Sequence, residues 1–274
     1  MIEFVKQIAS QLQVAYPADE AEALAWWIAE ETTGLSRSQL LCGDKGTAFS
    51  ANMQAIVDRL LHFEPIQYIF GHTEWCGLDL KVTPAALIPR PETAELVEEV
   101  GMLKVKGEKL NVLDIGTGSG CIAIALKKKH PEWEITGVDI SAEAIEVAKG
   151  NALRNNVEVV FQVADIFADG IETIGAFDIV VSNPPYICEK EKIGMRKNVL
   201  DFEPASALFV PDNDPLRFYR RIASLRLGKQ LFFEINEAYP QEVTNLLEEL
   251  GYTDIQVTKD IYGKPRIIQG RSAR

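Results

Sequence analysis

The stretch Val112-Leu-Asp-Ile-Gly-Thr-Gly-Ser-Gly-Cys-Ile-Ala-Ile-Ala-Leu126 constrains the fold of this chain more than any other. A short apolar strand runs directly into glycines at 116, 118 and 120, and these run directly into an apolar helix. Alternate glycines let the backbone turn sharply and let a ligand approach with no Cβ in the way, while the helix amino terminus offers free N–H groups. Strand, tight loop and helix in this order read as a nucleotide-type pocket at the carboxyl end of a parallel sheet. The spacing is GxGxG, because Cys121 stands where a dinucleotide fingerprint requires glycine or alanine, and this weighs against NAD. Asp114, just before the loop, is unfriendly to a pyrophosphate and suits a cationic ligand such as a sulfonium or an amino group.

The rest of the chain supports that reading. From Glu92 onward, strand candidates at 110–114, 134–139, 158–163, 179–182 and 230–235 alternate with amphipathic helices at 92–105, 119–129, 141–153, 214–226 and 239–250. This alternation marks a parallel sheet wound with helices on both faces. Two last apolar stretches, 254–257 and 266–269, have no helix between them and are expected to pair as an antiparallel hairpin on the sheet edge. Before His62 the apolar residues recur at helical spacing, as in Ile2, Val5, Ile8 and Leu12, which predicts a small bundle of three or four helices. Gln67–Gly71 and Gly77–Val82 are β-rich and predict a joining hairpin. At 274 residues the chain is long for one unit. The expected division is a helical domain at 1–63, a linker with a β-hairpin at 64–90 and a catalytic domain at 91–274.

Acidic residues then fall at the strand ends. Asp139 follows the second strand of the alternating region, 19 positions after Gly120, where a carboxylate can accept both hydroxyls of a ribose. On its own it could equally serve the helix that starts near Ser141. Asp165 and Phe167 follow the third strand, where a carboxylate and an aromatic suit an adenine amino group and ring face. A glycine loop of Gly116, Thr117, Gly118, Ser119 and Gly120, with a ribose acid and an adenine acid but no phosphate-binding lysine, reads as a site for S-adenosylmethionine.

Asn183-Pro184-Pro185-Tyr186 stands at the end of the fourth strand. Two consecutive prolines donate no backbone hydrogen bond and fix φ, so nearby carbonyls are rigidly aimed. The side-chain oxygen of Asn183 and the carbonyl of Pro184 can each accept one hydrogen of a planar NH2 group, and Tyr186 can cover that group by stacking. The substrate is therefore expected to be an amide or an amino-heterocycle, with no dedicated general base in view.

These motifs resemble those of the bacterial release factor glutamine methyltransferases, within the wider group of Asn-Pro-Pro-Tyr methyltransferases. The resemblance covers nearly the whole chain and includes Glu64-Pro-Ile-Gln-Tyr-Ile-Phe-Gly71, Leu87-Ile-Pro-Arg-Pro-Glu-Thr93, Phe202-Glu-Pro-Ala-Ser-Ala-Leu208 and Asp260-Ile-Tyr-Gly-Lys-Pro-Arg266. It implies an α/β fold: a seven-stranded, Rossmann-like, S-adenosylmethionine-dependent methyltransferase domain, preceded by a small all-α bundle that helps hold the release factor and by a β-hairpin linker. The implied reaction is methylation of the side-chain N5 of the Gly-Gly-Gln glutamine in peptide chain release factors. By position it implies cofactor contacts from Gly116 to Gly120 and from Asp139, Phe167 and Asn183, and a glutamine site lined by Pro184, Pro185 and Tyr186. Arg90 and Glu92 would support the pocket or contact substrate, and Glu203-Pro204 would shape the substrate loop. The chain departs from the pattern at Asn236, where glycine is expected, at Ala94, where glutamate is common, and at Phe167, where tryptophan is frequent.

Charge separates the rivals. An adenine-N6 nucleic-acid methyltransferase would present the same NH2 group, but a net charge of -12 opposes a phosphate backbone. Methylation of a ribosomal-protein glutamine is the nearer alternative, and a binding module without turnover would not need two aimed acceptors. An acidic surface suits a basic protein partner. Cys42, Cys76, Cys121 and Cys188 lie too far apart for a metal knuckle and are read as small buried hydrophobes, so no metal is expected. A monomer that contacts neither nucleic acid nor membrane, in the cytoplasm, completes the expectation.

Overall fold

The computed structural model describes residues 2–43, 49–103 and 109–272. The chain divides into two compact units, one comprising the sequence up to Gly71 together with Arg196–Phe202, the other His72–Met195 with Glu203 onward.

The first unit holds α1 (Glu3–Leu12), α2 (Ala18–Thr33), α3 (Arg37–Gly43), α4 (Ala51–Leu61) and α5 (Ile66–Phe70). Phe4, Val5, Ile8 and Leu12 recur at helical spacing and pack on Ala21, Ala25 and Ile28 and on Val57 and Leu60. Trp26 is buried in this core, with the Arg37 guanidinium 4.4 Å from its ring centroid. The stretch expected to be a strand at Gln67–Phe70 is instead α5. Pro65 pre-sets the first turn, and Gly71, at φ 77°, closes the helix by donating its N–H to the Gln67 carbonyl at 2.7 Å.

The second unit continues with β1 (His72–Trp75), β2 (Leu78–Lys81), α6 (Thr93–Gly101), β3 (Asn111–Ile115), α7 (Cys121–Lys129), β4 (Glu134–Asp139), α8 (Ala142–Arg154), β5 (Val160–Val163), β6 (Phe177–Ser182) and β7 (Ile187–Cys188). After α9 (Lys197–Leu200), which belongs to the helical unit, follow β8 (Phe209–Val210), α10 (Arg217–Leu225), β9 (Gly228–Glu234), α11 (Pro240–Glu249), β10 (Tyr252–Lys259) and β11 (Pro265–Ser272). Seven strands form one sheet in the order β10-β11-β9-β6-β3-β4-β5, parallel from β9 to β5, with β11 antiparallel to both its neighbours. Adjacent residues of the central strands face opposite layers. Val112, Ile179, Phe232 and Ile267 pack under α6, α7 and α8, whereas Leu113, Val180, Phe233 and Ile268 pack under α10 and α11.

The hairpin turns at Cys76 and Gly77, both at positive φ. The free edge of β2 meets Asn151 of α8 and Asn155, which caps the end of that helix. Asn155 accepts the Asp79 amide at 3.2 Å and donates to the Asp79 carbonyl at 2.8 Å, and Asn151 does the same for Lys81 at 2.7 and 3.0 Å. Of the four cysteines, only Cys121 and Cys188 are buried, and Cys42 and Cys76 are exposed, so the expectation of four buried thiols is corrected. Burial pushes the Cys121 thiol up to about 12, which leaves it inert. Among the described residues no helix is long and apolar enough to cross a membrane, and no group of three metal-ligating side chains forms.

Candidate active site

The sheet order reverses about β3, which has β4 on one side and β6 on the other, so the loops after these strands open onto a common crevice. A cavity of about 420 Å³ occupies it, within the range of small-molecule sites.

The glycine loop is clipped to the neighbouring strand. The amides of Gly116 and Thr117 both donate to the Val138 carbonyl at 2.9 Å, and the Gly118 amide donates to Asp139 Oδ2 at 2.9 Å. Asp139 Oδ1 accepts from the Ser141 amide at 2.9 Å, while the cap of α8 is the Ser141 hydroxyl, which accepts from Ala144. Each carboxylate oxygen of Asp139 keeps a lone pair for a ligand hydroxyl. The three glycines all have left-handed φ but serve different ends. At Gly116 a Cβ would meet nothing, so the bare backbone faces open space. At Gly120 it would lie 3.0 Å from Ala148 and Ile124 and 3.1 Å from Phe161. Gly120 therefore allows α7 to pack closely, and it does not line the cavity as the sequence reading expected.

Asp114 also departs from expectation. It is fully buried beneath the loop and absent from the cavity wall, and its Oδ2 accepts from the Thr117 hydroxyl at 2.6 Å. Burial pushes its carboxyl up to about 7, against the pull of Thr117 and of the Ala123 backbone N–H. It holds the loop's shape and does not face a cation.

At the far wall Asp165 Oδ1 accepts from the Phe167 amide at 2.8 Å, which leaves Oδ2 available. The Phe167 ring lies edge-on to Phe218, their centroids 5.3 Å apart, and carries the Arg217 guanidinium at 4.6 Å. Ile140, 64% exposed on the same wall, adds an apolar face. Sequence reasoning passed over Ile140, Arg217 and Phe218; a large apolar residue directly after the strand-end acid was the available signal.

Asn183, Pro184 and Pro185 line the cavity where β6 ends. The Asn183 NH2 donates to the Thr93 hydroxyl at 3.1 Å, which leaves Oδ1 as its free acceptor. Thr93 in turn donates to Glu234 Oε2 at 2.7 Å, and the Tyr186 hydroxyl donates to Glu234 Oε1 at 3.0 Å. Tyr186 is half-buried and packs against the α10–α11 layer, beside the cavity wall that Asn183 to Pro185 form. Burial, then the neighbouring Glu234 charge, pushes the Tyr186 phenol far up, and burial raises Glu234 as well. Asn236, where the sequence pattern called for glycine, donates to the Tyr186 carbonyl at 3.1 Å and so steadies the same turn. Arg90 lines the cavity opposite, held by Glu203 at 2.6 Å, and Glu203 also accepts the Ile88 amide at 3.2 Å.

A Rossmann-like sheet, a glycine loop with its strand-end acid, and an Asn-Pro-Pro turn over one cavity define a methyltransferase. The methyltransferase small domain family matches residues 94–201, and the PrmC N-terminal domain family matches residues 3–71. The release factor glutamine methyltransferase of Bacteroides thetaiotaomicron is 47% identical over 271 residues, covering 95% of this chain and 96% of that protein. The protein of the same name from Flavobacterium psychrophilum is 44% identical over 79% of this chain and 78% of its own length. A methyltransferase structure from Pyrococcus furiosus aligns with a TM-score of 0.53 at 20% identity, over 82% of this chain and 100% of that one, and shares the fold. The chain belongs to the release factor glutamine methyltransferase family.

Proposed function

We propose that this protein transfers a methyl group from S-adenosylmethionine to the side-chain N5 of the Gly-Gly-Gln glutamine in peptide chain release factors. The observation that carries the reading is Asn183: its NH2 is turned to Thr93, so its Oδ1 is left as an acceptor at the cavity that Pro184 also lines. A planar primary amide supplies the two donors such a pair requires.

The residues present fit the cofactor. The Ser119 hydroxyl, on the cavity wall, is buried with no hydrogen-bond partner, and the open backbone at Gly116 admits a ligand without steric conflict. Asp139 would hold the ribose hydroxyls, Asp165 the adenine amino group, and Ile140 and Phe167 the ring faces. When bound, the cofactor supplies an electrophilic sulfonium methyl. The chain's own contribution is to the nucleophile, since an amide nitrogen has its lone pair delocalised into the carbonyl. Asn183 Oδ1 and the Pro184 carbonyl accept its two hydrogens, raise electron density on nitrogen and fix its direction. Tyr186, tied to Glu234, keeps the proline turn from relaxing, and Arg90 takes the polar edge of the substrate. The helical unit is assigned to holding the release factor. A monomer in the compartment of translation completes the proposal.

Transfer of labelled methyl to a purified release factor tests it, beside a factor lacking the motif glutamine and beside DNA, RNA and ribosomal protein. Label on the wild-type factor, lost with Asn183→Ala, is the expected result. Label on nucleic acid or ribosomal protein instead would overturn the substrate assignment.

A further inference from the structure

We propose that Glu234 is the positioning residue that sets the hydrogen-bond polarity of the substrate site, and that selectivity for glutamine over glutamate is decided there. The inference rests on the glutamine reading above and deepens it.

An asparagine side chain can present either its oxygen or its NH2 to a ligand, and a hydroxyl can donate in either direction, so neither Asn183 nor Thr93 has an inherent polarity. A carboxyl group whose two oxygens both accept from hydroxyls does, because neither oxygen then donates. Glu234 ends β9, is 1% exposed, and receives a hydroxyl on each oxygen, Thr93 at 2.7 Å and Tyr186 at 3.0 Å. Once Thr93 has given its only hydrogen to Glu234, its oxygen can serve Asn183 only as an acceptor. Asn183 must then turn its NH2 to Thr93, at 3.1 Å, and its Oδ1 to the cavity. The polarity runs from carboxylate to hydroxyl to amide without a free choice. The same carboxylate fixes Tyr186, the last residue of the proline turn, so the direction of the second acceptor depends on it too.

The chemistry at stake is discrimination. A glutamine NH2 meets two acceptors and is held; a glutamate carboxylate, equal in size, meets two oxygens and is repelled. A site that read only shape would admit both. In a Glu234→Gln variant the order can invert: the new side-chain amide donates to Thr93, Thr93 donates to Asn183 Oδ1, and the Asn183 NH2 then faces the cavity and welcomes a carboxylate.

Full-length wild-type, Glu234→Gln and Thr93→Val proteins are compared with release factor and with the same factor carrying glutamate in the motif. Cofactor affinity and thermal stability are recorded beside kcat, KM and binding of the glutamate form. Expected for Glu234→Gln are a tenfold or greater fall in kcat, unchanged cofactor affinity, and a tenfold or greater shift of the binding ratio toward the glutamate form. Thr93→Val, which cuts the same relay at its middle, should shift the ratio in the same direction, and Thr93→Ser should restore it. Without any substrate, exchange of the Asn183 side-chain amide protons should be slow in the wild type and faster in Glu234→Gln. A Glu234→Gln enzyme with wild-type discrimination and wild-type exchange would overturn the relay, whether or not its kcat fell. A wild-type enzyme inert on release factor but showing the slow exchange would sink the substrate reading and leave the relay standing.

Discussion

Asp114→Asn should gain stability relative to the wild type as pH rises. Asp114 is fully buried under the glycine loop, and burial raises its carboxyl from the ordinary 3.8 to about 7. In the unfolded chain it titrates near its ordinary value. Between these two values the folded state holds a proton that the unfolded state has lost. The stability contributed is therefore full below about pH 4, falls as pH rises and is gone once the folded carboxyl ionises near pH 7. A rise of roughly three pH units, at about 1.4 kcal/mol each, comes to about 4 kcal/mol. Asparagine carries no charge at any of these pH values, and its carbonyl can still accept from the Thr117 hydroxyl. Urea unfolding of both proteins from about pH 4 to about pH 8 isolates this contribution, because every other titration cancels in the difference. The variant should gain on the wild type by about 4 kcal/mol across that window, most steeply in the middle. A difference flat to within about 0.5 kcal/mol would refute the burial argument, and one that favoured the wild type at high pH would show the ionised carboxylate to be paired.

Three further outcomes follow from the geometry. Gly120→Ala forces a Cβ to within 3.0 Å of Ala148 and Ile124 at a φ of 81° and should lower stability by about 2–3 kcal/mol by denaturant unfolding, whereas Gly116→Ala meets no atom and should cost only about 1 kcal/mol. Asn151→Leu strands the Lys81 amide and the Ser119 carbonyl, losing about 2–4 kcal/mol; a melting temperature unchanged from wild type would mean that water replaces both. Glu203→Gln releases Arg90 from its charge partner, so KM for the protein substrate should rise about tenfold with cofactor affinity unchanged, and calorimetry of cofactor binding checks the second half.

Much of this was legible before folding because it is local. A strand, three glycines and a helix specify their own loop, and acids at strand ends are aimed by the sheet, so Asp139, Asp165 and Asn183 arrive at one cavity from sequence order alone. What stayed hidden depends on which strands become neighbours. Glu234 meets Tyr186 only because β9 pairs with β6 across a long connection, and Thr93 joins them from a helix 141 residues earlier in the chain. Burial was the other blind spot. Asp114 and Asp139 differ little as sequence, yet one is sealed under the loop and the other lines the cavity. The misread strand at Gln67–Phe70 is a case where β-rich composition outweighed the end signals, Pro65 and Gly71, that set the conformation.

The pairing of β2 with Asn151 and Asn155 has a consequence for the life of the protein outside its reaction. Four residues along a helix rise about 6 Å, and two along a strand nearly 7 Å, so one helix can present two side-chain amides in step with alternate peptide groups. Those amides imitate a third strand and occupy the donors and acceptors by which an exposed hairpin edge recruits other chains. The helix acts as a cap against self-association. Loss of either asparagine would reopen a template for intermolecular β-pairing, and such variants should first betray themselves by precipitating at high concentration while their dilute solutions still turn over.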